Sequence, residues 1–152
     1  MKKDLSKIDI TDFNVQDCTF GGDDCVWIFP KLEGVKWHTD NLDQRSSIWR
    51  KSDGELVSAG FKKFFNWSQE PDIYPAPNAL TTNINILEKL DGSCLIVSKY
   101  KDEWIIRTRR ALAHTMLNGD EIAYFKGVFP LIFTGNRWPD NYSLIFEWLT
   151  PS

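Results

Sequence analysis

Ser52-Asp53-Gly54 separates two β-prone runs, Ser47-Ile48-Trp49-Arg50 and Glu55-Leu56-Val57-Ser58. Asp-Gly in that setting is a strong hairpin signal, because glycine supplies the positive φ a tight turn needs. A chain that opens an antiparallel hairpin there needs more strands to cover it, and several candidates follow. Residues 83–89, 93–100 and 103–110 read as strands, the last two joined at Lys101-Asp102 as an antiparallel hairpin. Residues 143–148 read as a last strand. Upstream, Val26-Trp27-Ile28-Phe29 stops at Pro30 and reads as a short strand or packed loop, with Gly21-Gly22-Asp23-Asp24 and Leu32-Glu33-Gly34 around it.

Between the strands, Pro71, Pro75 and Pro77 mark a connector after Phe61-Lys62-Lys63-Phe64-Phe65-Asn66-Trp67. Asn118-Gly119-Asp120 is placed to cap a short helix from Glu121 toward Phe129, which Pro130 bends or ends. Thr134-Gly135-Asn136 and Pro139-Asp140-Asn141 read as loops. No internal repeat, low-complexity run or interdomain linker interrupts the 152 residues. The pattern predicts one α+β domain dominated by antiparallel sheet. With 42% hydrophobic and 14% aromatic residues, the chain buries a real core.

A net charge of -3 excludes a globally basic nucleic-acid binder, so any such contact must come from a local patch. Cys18, Cys25 and Cys94 are odd in number and do not form a secreted disulfide framework. Met1-Lys2-Lys3-Asp4 leads into polar sequence rather than an apolar signal core, and no apolar run is long enough to cross a bilayer. The expectation is a soluble, cytoplasmic protein. His38 and His114 lie far apart and no Cys or His pair has metal-ligand spacing, so a zinc site is not expected. There is no glycine-rich Walker loop. The 7 tryptophans are expected mostly in the core rather than stacked on bases.

The chemistry-bearing segment is Glu88-Lys89-Leu90-Asp91-Gly92-Ser93. It puts Lys89 between the apolar run ending at Leu87 and the run starting at Cys94. A lysine held between apolar strands is partly desolvated. Desolvation favours the neutral amine, the form that attacks an electrophile. Further along, Ser143-Leu144-Ile145-Phe146-Glu147-Trp148 carries a single carboxylate in an apolar strand. Buried, it needs a partner or ligand; on an edge strand, it faces solvent. Arg107 and Arg109 share one strand face by alternation and Arg110 faces the other, a basic cluster that otherwise reads as a solvated face. Lys62 and Lys63 read as surface residues, and Phe64 and Phe65 as core.

Lys-x-Asp-Gly at Lys89 to Gly92 resembles the nucleophile motif of the covalent nucleotidyltransferases, the superfamily of ATP-dependent ligases and mRNA capping enzymes. The rest of the chain is similar, within that superfamily, to the ATP-dependent RNA ligases related to the bacteriophage T4 enzyme. Residues 145–151 resemble their Ile-Phe-Glu-Trp-x-x-Pro, Lys63-Phe64-Phe65-Asn66 their Lys-Phe-Phe-Asn, and Thr108-Arg109 their Thr-Arg-Gly, with Arg110 in the glycine position. Arg45 stands where an arginine opens the preceding hairpin, with Ser46 where glycine is common. These segments occur in family order and favour RNA ligase over DNA ligase or a GTP-using capping enzyme.

The resemblance implies an antiparallel-sheet-rich, ATP-grasp-like nucleotidyltransferase adenylation domain. It implies ATP and Mg²⁺, with Lys89 attacking the α-phosphorus to form lysyl-AMP. Arg45 and Lys63 would grip the triphosphate, and Phe65 would pack at the nucleotide. The backbone of Leu87 and Glu88 would meet the adenine edge. Asp91 and Gly92 complete the motif. Arg109 would contact ribose or an acceptor phosphate, while Glu147 would contact ribose or help hold the metal and the lysine. Phe146 and Trp148 would turn to the other face, into the core. AMP would pass to a 5′-phosphate RNA end and a 3′-hydroxyl would displace it, as in RNA repair. The later Glu-Gly and Lys-x-Lys strands of the superfamily do not appear before Ser152, and Glu33-Gly34 lies in the wrong order. The expectation is therefore a domain incomplete at its C-terminus, adenylating poorly alone and completed by a further segment or a second chain. The competing expectation is a non-catalytic module that binds RNA or protein through Arg107 to Arg110 and the aromatics.

Overall fold

The structure is a computed structural model, and it describes residues 1–31, 34–67, 69–73, 83, 85–112, 119–134 and 142–149. It is an α+β fold built on two antiparallel sheets. The first has four strands in the order β1-β2-β3-β4: β1 (Phe13–Phe20), β2 (Asp23–Pro30), β3 (Ser47–Arg50) and β4 (Leu56–Ala59). The second has three strands in the order β6-β5-β7: β5 (Ser93–Tyr100), β6 (Glu103–Arg107) and β7 (Ser143–Trp148). Helices α1 (Gly119–Val128) and α2 (Pro130–Thr134) lie between β6 and β7 in sequence. Pro130 ends one helix and starts the next. It cannot donate into α1, and its fixed φ suits a first helical position. Among the described residues no helix is long and apolar enough to cross a membrane.

Period-two alternation decides what each sheet face buries. On β5, Leu95 and Val97 point away from the first sheet into a cluster with Ile106 and Phe125, against which Phe146 and Trp148 pack. Phe125 of α1 makes edge-on contact with Phe146 at 5.3 Å between ring centroids. The opposite face of the second sheet meets the first. Ile105 joins Phe20, Cys25, Trp27, Ile48 and Val57 in a core between the sheets. A third cluster, Phe13, Val26, Ile28 and Trp49, backs the first sheet and is covered by Leu5, Ile8 and Trp37.

The Asp53-Gly54 hairpin forms between β3 and β4 as the sequence predicts. Gly54 has φ +69°, and the backbone oxygen of Lys3 lies 2.0 Å from where its Cβ would be. The expected strand over residues 83–89 is absent: residues 83 and 85–90 carry no strand, and Ile86 and Leu87 are 92% and 84% exposed. Apolar character alone does not make a strand, because backbone groups need a paired neighbour, and both edges of β5 are already taken by β6 and β7. The expected strand over 103–110 stops at Arg107, where Thr108 starts a turn by donating its N–H to Ala111 O at 2.7 Å. Asn118, His114, Pro75, Pro77, the loops at residues 135–136 and 139–141, and the Pro151 end of the Phe-Glu-Trp segment lie outside the described residues.

One end of the fold is closed by tight turns and ion pairs. Tyr100 donates to Asp23 at 2.5 Å, Arg50 donates to Tyr100 at 2.8 Å, and Lys101 pairs with Asp23 at 2.9 Å. Arg50 also forks onto Asp53 through Nε and Nη2, each at 2.9 Å. Among the described residues no comparable network closes the opposite end of the seam between the sheets.

Candidate functional site

At that open end the start of β3, the end of β4, the start of β5 and the end of β6 come together. They enclose a cavity of about 340 Å³ whose walls include Arg45, Phe61, Gly92, Cys94, Arg109 and Arg110. A second cavity, also about 340 Å³, lies against the same three arginines and adds Lys31, Trp37 and Lys63. Among the described residues neither cavity has a carboxylate in its wall. Residues separated by more than 60 positions in sequence thus supply one cationic wall.

Local structure explains how each is held. Arg45 ends the 3-10 turn Leu42–Arg45 just before β3, and its guanidinium stacks over Phe64 at 4.5 Å. Lys63 is tied to that turn by its N–H, which donates to Leu42 O at 2.8 Å. Its ammonium lies 4.6 Å from the Phe65 ring centre and 5.9 Å from that of Trp37. Arg109 and Arg110 sit in the turn after β6, where the Thr108 hydroxyl accepts from the N–H groups of Arg110 and Ala111.

The electrostatics are those of clustered positive charge. Burial pushes the Arg45 guanidinium below its ordinary range, and the charge of Arg109 adds to the effect. Lys63 is lowered by burial, then by Arg45 and Arg109, with Glu70 partly offsetting them. Arg109 is lowered by burial and then by Arg110. Each cation is destabilised by its neighbours, the reverse of an ion-pair network. Among the described residues no ion pair involves Arg45, Lys63, Arg109 or Arg110. Among the described residues buried Nη1 of Arg45 and Nε of Arg110 have no hydrogen-bond partner. Buried donors normally find acceptors, so these two are free to donate to a ligand or solvent oxygen.

Several residues singled out in the sequence converge here. Gly92 lines the first cavity. Glu147 pairs across the sheet with Cys94, so it leaves the same face as a cavity residue. It is exposed on an edge strand and close enough to raise the Cys94 thiol, whose main cause of elevation is burial. Phe146 and Trp148 turn to the opposite face and pack in the core.

Other expectations need correction. Lys89 is not held between apolar strands. Its side chain is 82% exposed, with Asp91 Oδ1 3.9 Å from its Nζ, so the burial that would favour a neutral amine is missing in this arrangement. Leu87, Glu88 and Asp91 are exposed and line neither cavity. Phe64 is exposed rather than core, since it caps Arg45 from outside. Arg107 and Arg109 do not share a solvated face: β6 ends between them, Arg107 is 0% exposed, and Arg109 and Arg110 line the same cavities. Trp27 and Trp49 are buried as expected, but Trp67 is exposed. Among the described residues no group of 3 or more His, Cys, Asp or Glu is placed to hold a metal ion.

No family model, curated protein or solved structure matches the chain.

Proposed function

We propose that the cationic seam binds the triphosphate of ATP and that the chain acts as an ATP-dependent RNA ligase of the covalent nucleotidyltransferase type. One observation carries the reading. Among the described residues Arg45, Lys63 and Arg109, each singled out by resemblance, fall on one wall without a carboxylate, and Gly92 of the Lys-x-Asp-Gly motif lines the other cavity, which shares Arg45 and Arg109. Guanidinium forks suit phosphate oxygens. Preplaced cations stabilise the charge that grows on a leaving pyrophosphate.

In the reaction, the lone pair of Lys89 Nζ forms a bond to the α-phosphorus. The bond from that phosphorus to the bridging oxygen breaks, and pyrophosphate leaves with the electron pair. The amine gives its proton to solvent. A 5′-phosphate oxygen of RNA then attacks the same phosphorus, and the P–N bond breaks with its electron pair going to Lys89 Nζ, which regains a proton from solvent and leaves as the amine. Finally a 3′-hydroxyl attacks the 5′-phosphorus, releases AMP and loses its proton to water. Residues 85–91 are exposed coil, so Lys89 must move against the bound nucleotide to react.

That exposure favours a second reading, a module that binds RNA or nucleotide through the same cations without chemistry. Incubation with α-labelled ATP and Mg²⁺, beside Lys89→Ala, separates the two. The ligase reading predicts an acid-labile labelled band at low yield, lost in the variant. ATP binding without label leaves the binding module. Label that survives Lys89→Ala refutes the assignment of the nucleophile.

A further inference from the structure

Arg107 is buried, and among the described residues no carboxylate pairs with it. It is 0% exposed, and burial pulls its pKa down to about 9, so the guanidinium still carries its charge at neutral pH. Its donors go to neutral oxygens. Nε donates to Ser58 Oγ at 3.0 Å, Nη2 to Ser46 O at 3.2 Å, and Nη1 to Ser46 Oγ and to Thr108 O. The Ser46 hydroxyl in turn donates to Arg109 O at 3.1 Å. Ser58 continues the chain through Ser98 at 2.7 Å to Ser143 at 2.8 Å. Small hydroxyls on both sheets thus surround one cation at their junction.

A buried charge answered only by dipoles is a poor stabiliser, and apolar side chains of similar volume often hold a core better. What the arrangement does provide is position. Ser46 follows Arg45 directly, and Arg109 lies two residues beyond Arg107. Arg107 therefore ties the segment carrying one cavity arginine to the segment carrying the other. We propose that Arg107 is a positioning residue: anchored by Ser58, it fixes Ser46 and with it the spacing of Arg45 and Arg109 across the mouth of the seam. This inference rests on the anion-binding reading of the cavity and names what holds that site in shape.

The test measures binding of inorganic tripolyphosphate to the full chain by calorimetry, with melting temperature recorded for every variant. Ser58 does not line either arginine-walled cavity, so Ser58→Ala frees Arg107 Nε without touching the ligand. Arg107→Lys keeps the charge and removes the fork. Ser143→Ala cuts the same hydroxyl chain at its far end and leaves every Arg107 bond. Losing an anchor of a charged donor predicts an affinity loss of about fivefold for Ser58→Ala and about tenfold for Arg107→Lys, against less than about twofold for Ser143→Ala. In an Arg109→Ala background the Ser58→Ala effect disappears. Equal affinity in wild type, Ser58→Ala and Arg107→Lys, with lowered melting temperature alone, overturns the inference. A Ser58→Ala loss that persists without Arg109 also overturns it. A wild-type chain that binds no tripolyphosphate refutes the anion site itself, a distinct failure.

Discussion

Gly92→Ala is the substitution whose outcome the geometry fixes most firmly. Gly92 directly precedes β5, where Ser93 pairs with Trp148 at the end of β7. A Cβ on Gly92 would lie 2.5 Å from Trp148 O, 3.1 Å from its carbonyl carbon and 2.8 Å from Leu149 Cδ2. The carbonyl contact falls inside the 3.0 Å below which real Cβ atoms are essentially never found. Leu149 can rotate away, but the Trp148 carbonyl is backbone and cannot. The new methyl must therefore push the start of β5 from the end of β7. Overpacking of this kind costs about 1–3 kcal/mol, a fall of roughly 2 to 12 °C in Tm for a chain this size. Chemical denaturation of the variant reads the free energy, and Gly127→Ala provides the contrast. Gly127 lies in α1 with nothing within 4 Å of a built Cβ, so alanine there should stabilise by about 0.5–1 kcal/mol. The reasoning fails if Gly92→Ala unfolds at the wild-type denaturant midpoint, because the close approach of β5 and β7 would then be absent.

Two further perturbations probe the frame. Leu95, 0% exposed among Val97, Ile106 and Phe125, should lose about 2–5 kcal/mol on truncation to alanine, measured by urea unfolding. The hydrogen bond from Tyr100, then the pairing with Lys101, holds the Asp23 carboxyl below the usual carboxylate range. A carboxylate depressed in the folded state contributes stability that is present above its unfolded pKa, about 4, and lost as pH falls through the lower folded value. Thermal melts should therefore show Tm falling below about pH 4, and Asp23→Asn should lower Tm at pH 7 while flattening that acid decline.

Much of the frame was legible because turn chemistry is local. Asp53-Gly54 and Lys101-Asp102 marked hairpins, and the ligase resemblance placed Phe146 and Trp148 in the core, where they pack. β1 was less visible. Its exposed Gln16 and Asp17 break any apolar pattern, and only its pairing along the whole of β2 reveals it; Gly21-Gly22 between the two runs was the available signal. The failed strand at residues 83–89 shows the opposite error, since Ile86 and Leu87 supply β-prone side chains without a partner edge. Arg109, Arg45 and Lys63 were picked out by resemblance, and only the fold brings them to one wall. Arg107 was misread because a basic residue near a strand end usually meets solvent. The clue was elsewhere, in serines 58, 98 and 143 on strands and Ser46 just before β3, where short hydroxyls signal a buried polar partner.

The central claim is that the open end of the seam is the triphosphate site. Titration of ATP into the wild-type chain and into an Arg45→Ala/Arg109→Ala double variant, at low and raised salt, tests it most directly. The account predicts wild-type binding that weakens as salt rises and falls at least about tenfold in the variant, since each lost charge-assisted contact is worth about 1.5–3 kcal/mol before compensation. Equal ATP affinity in the two proteins, both folded, would contradict it.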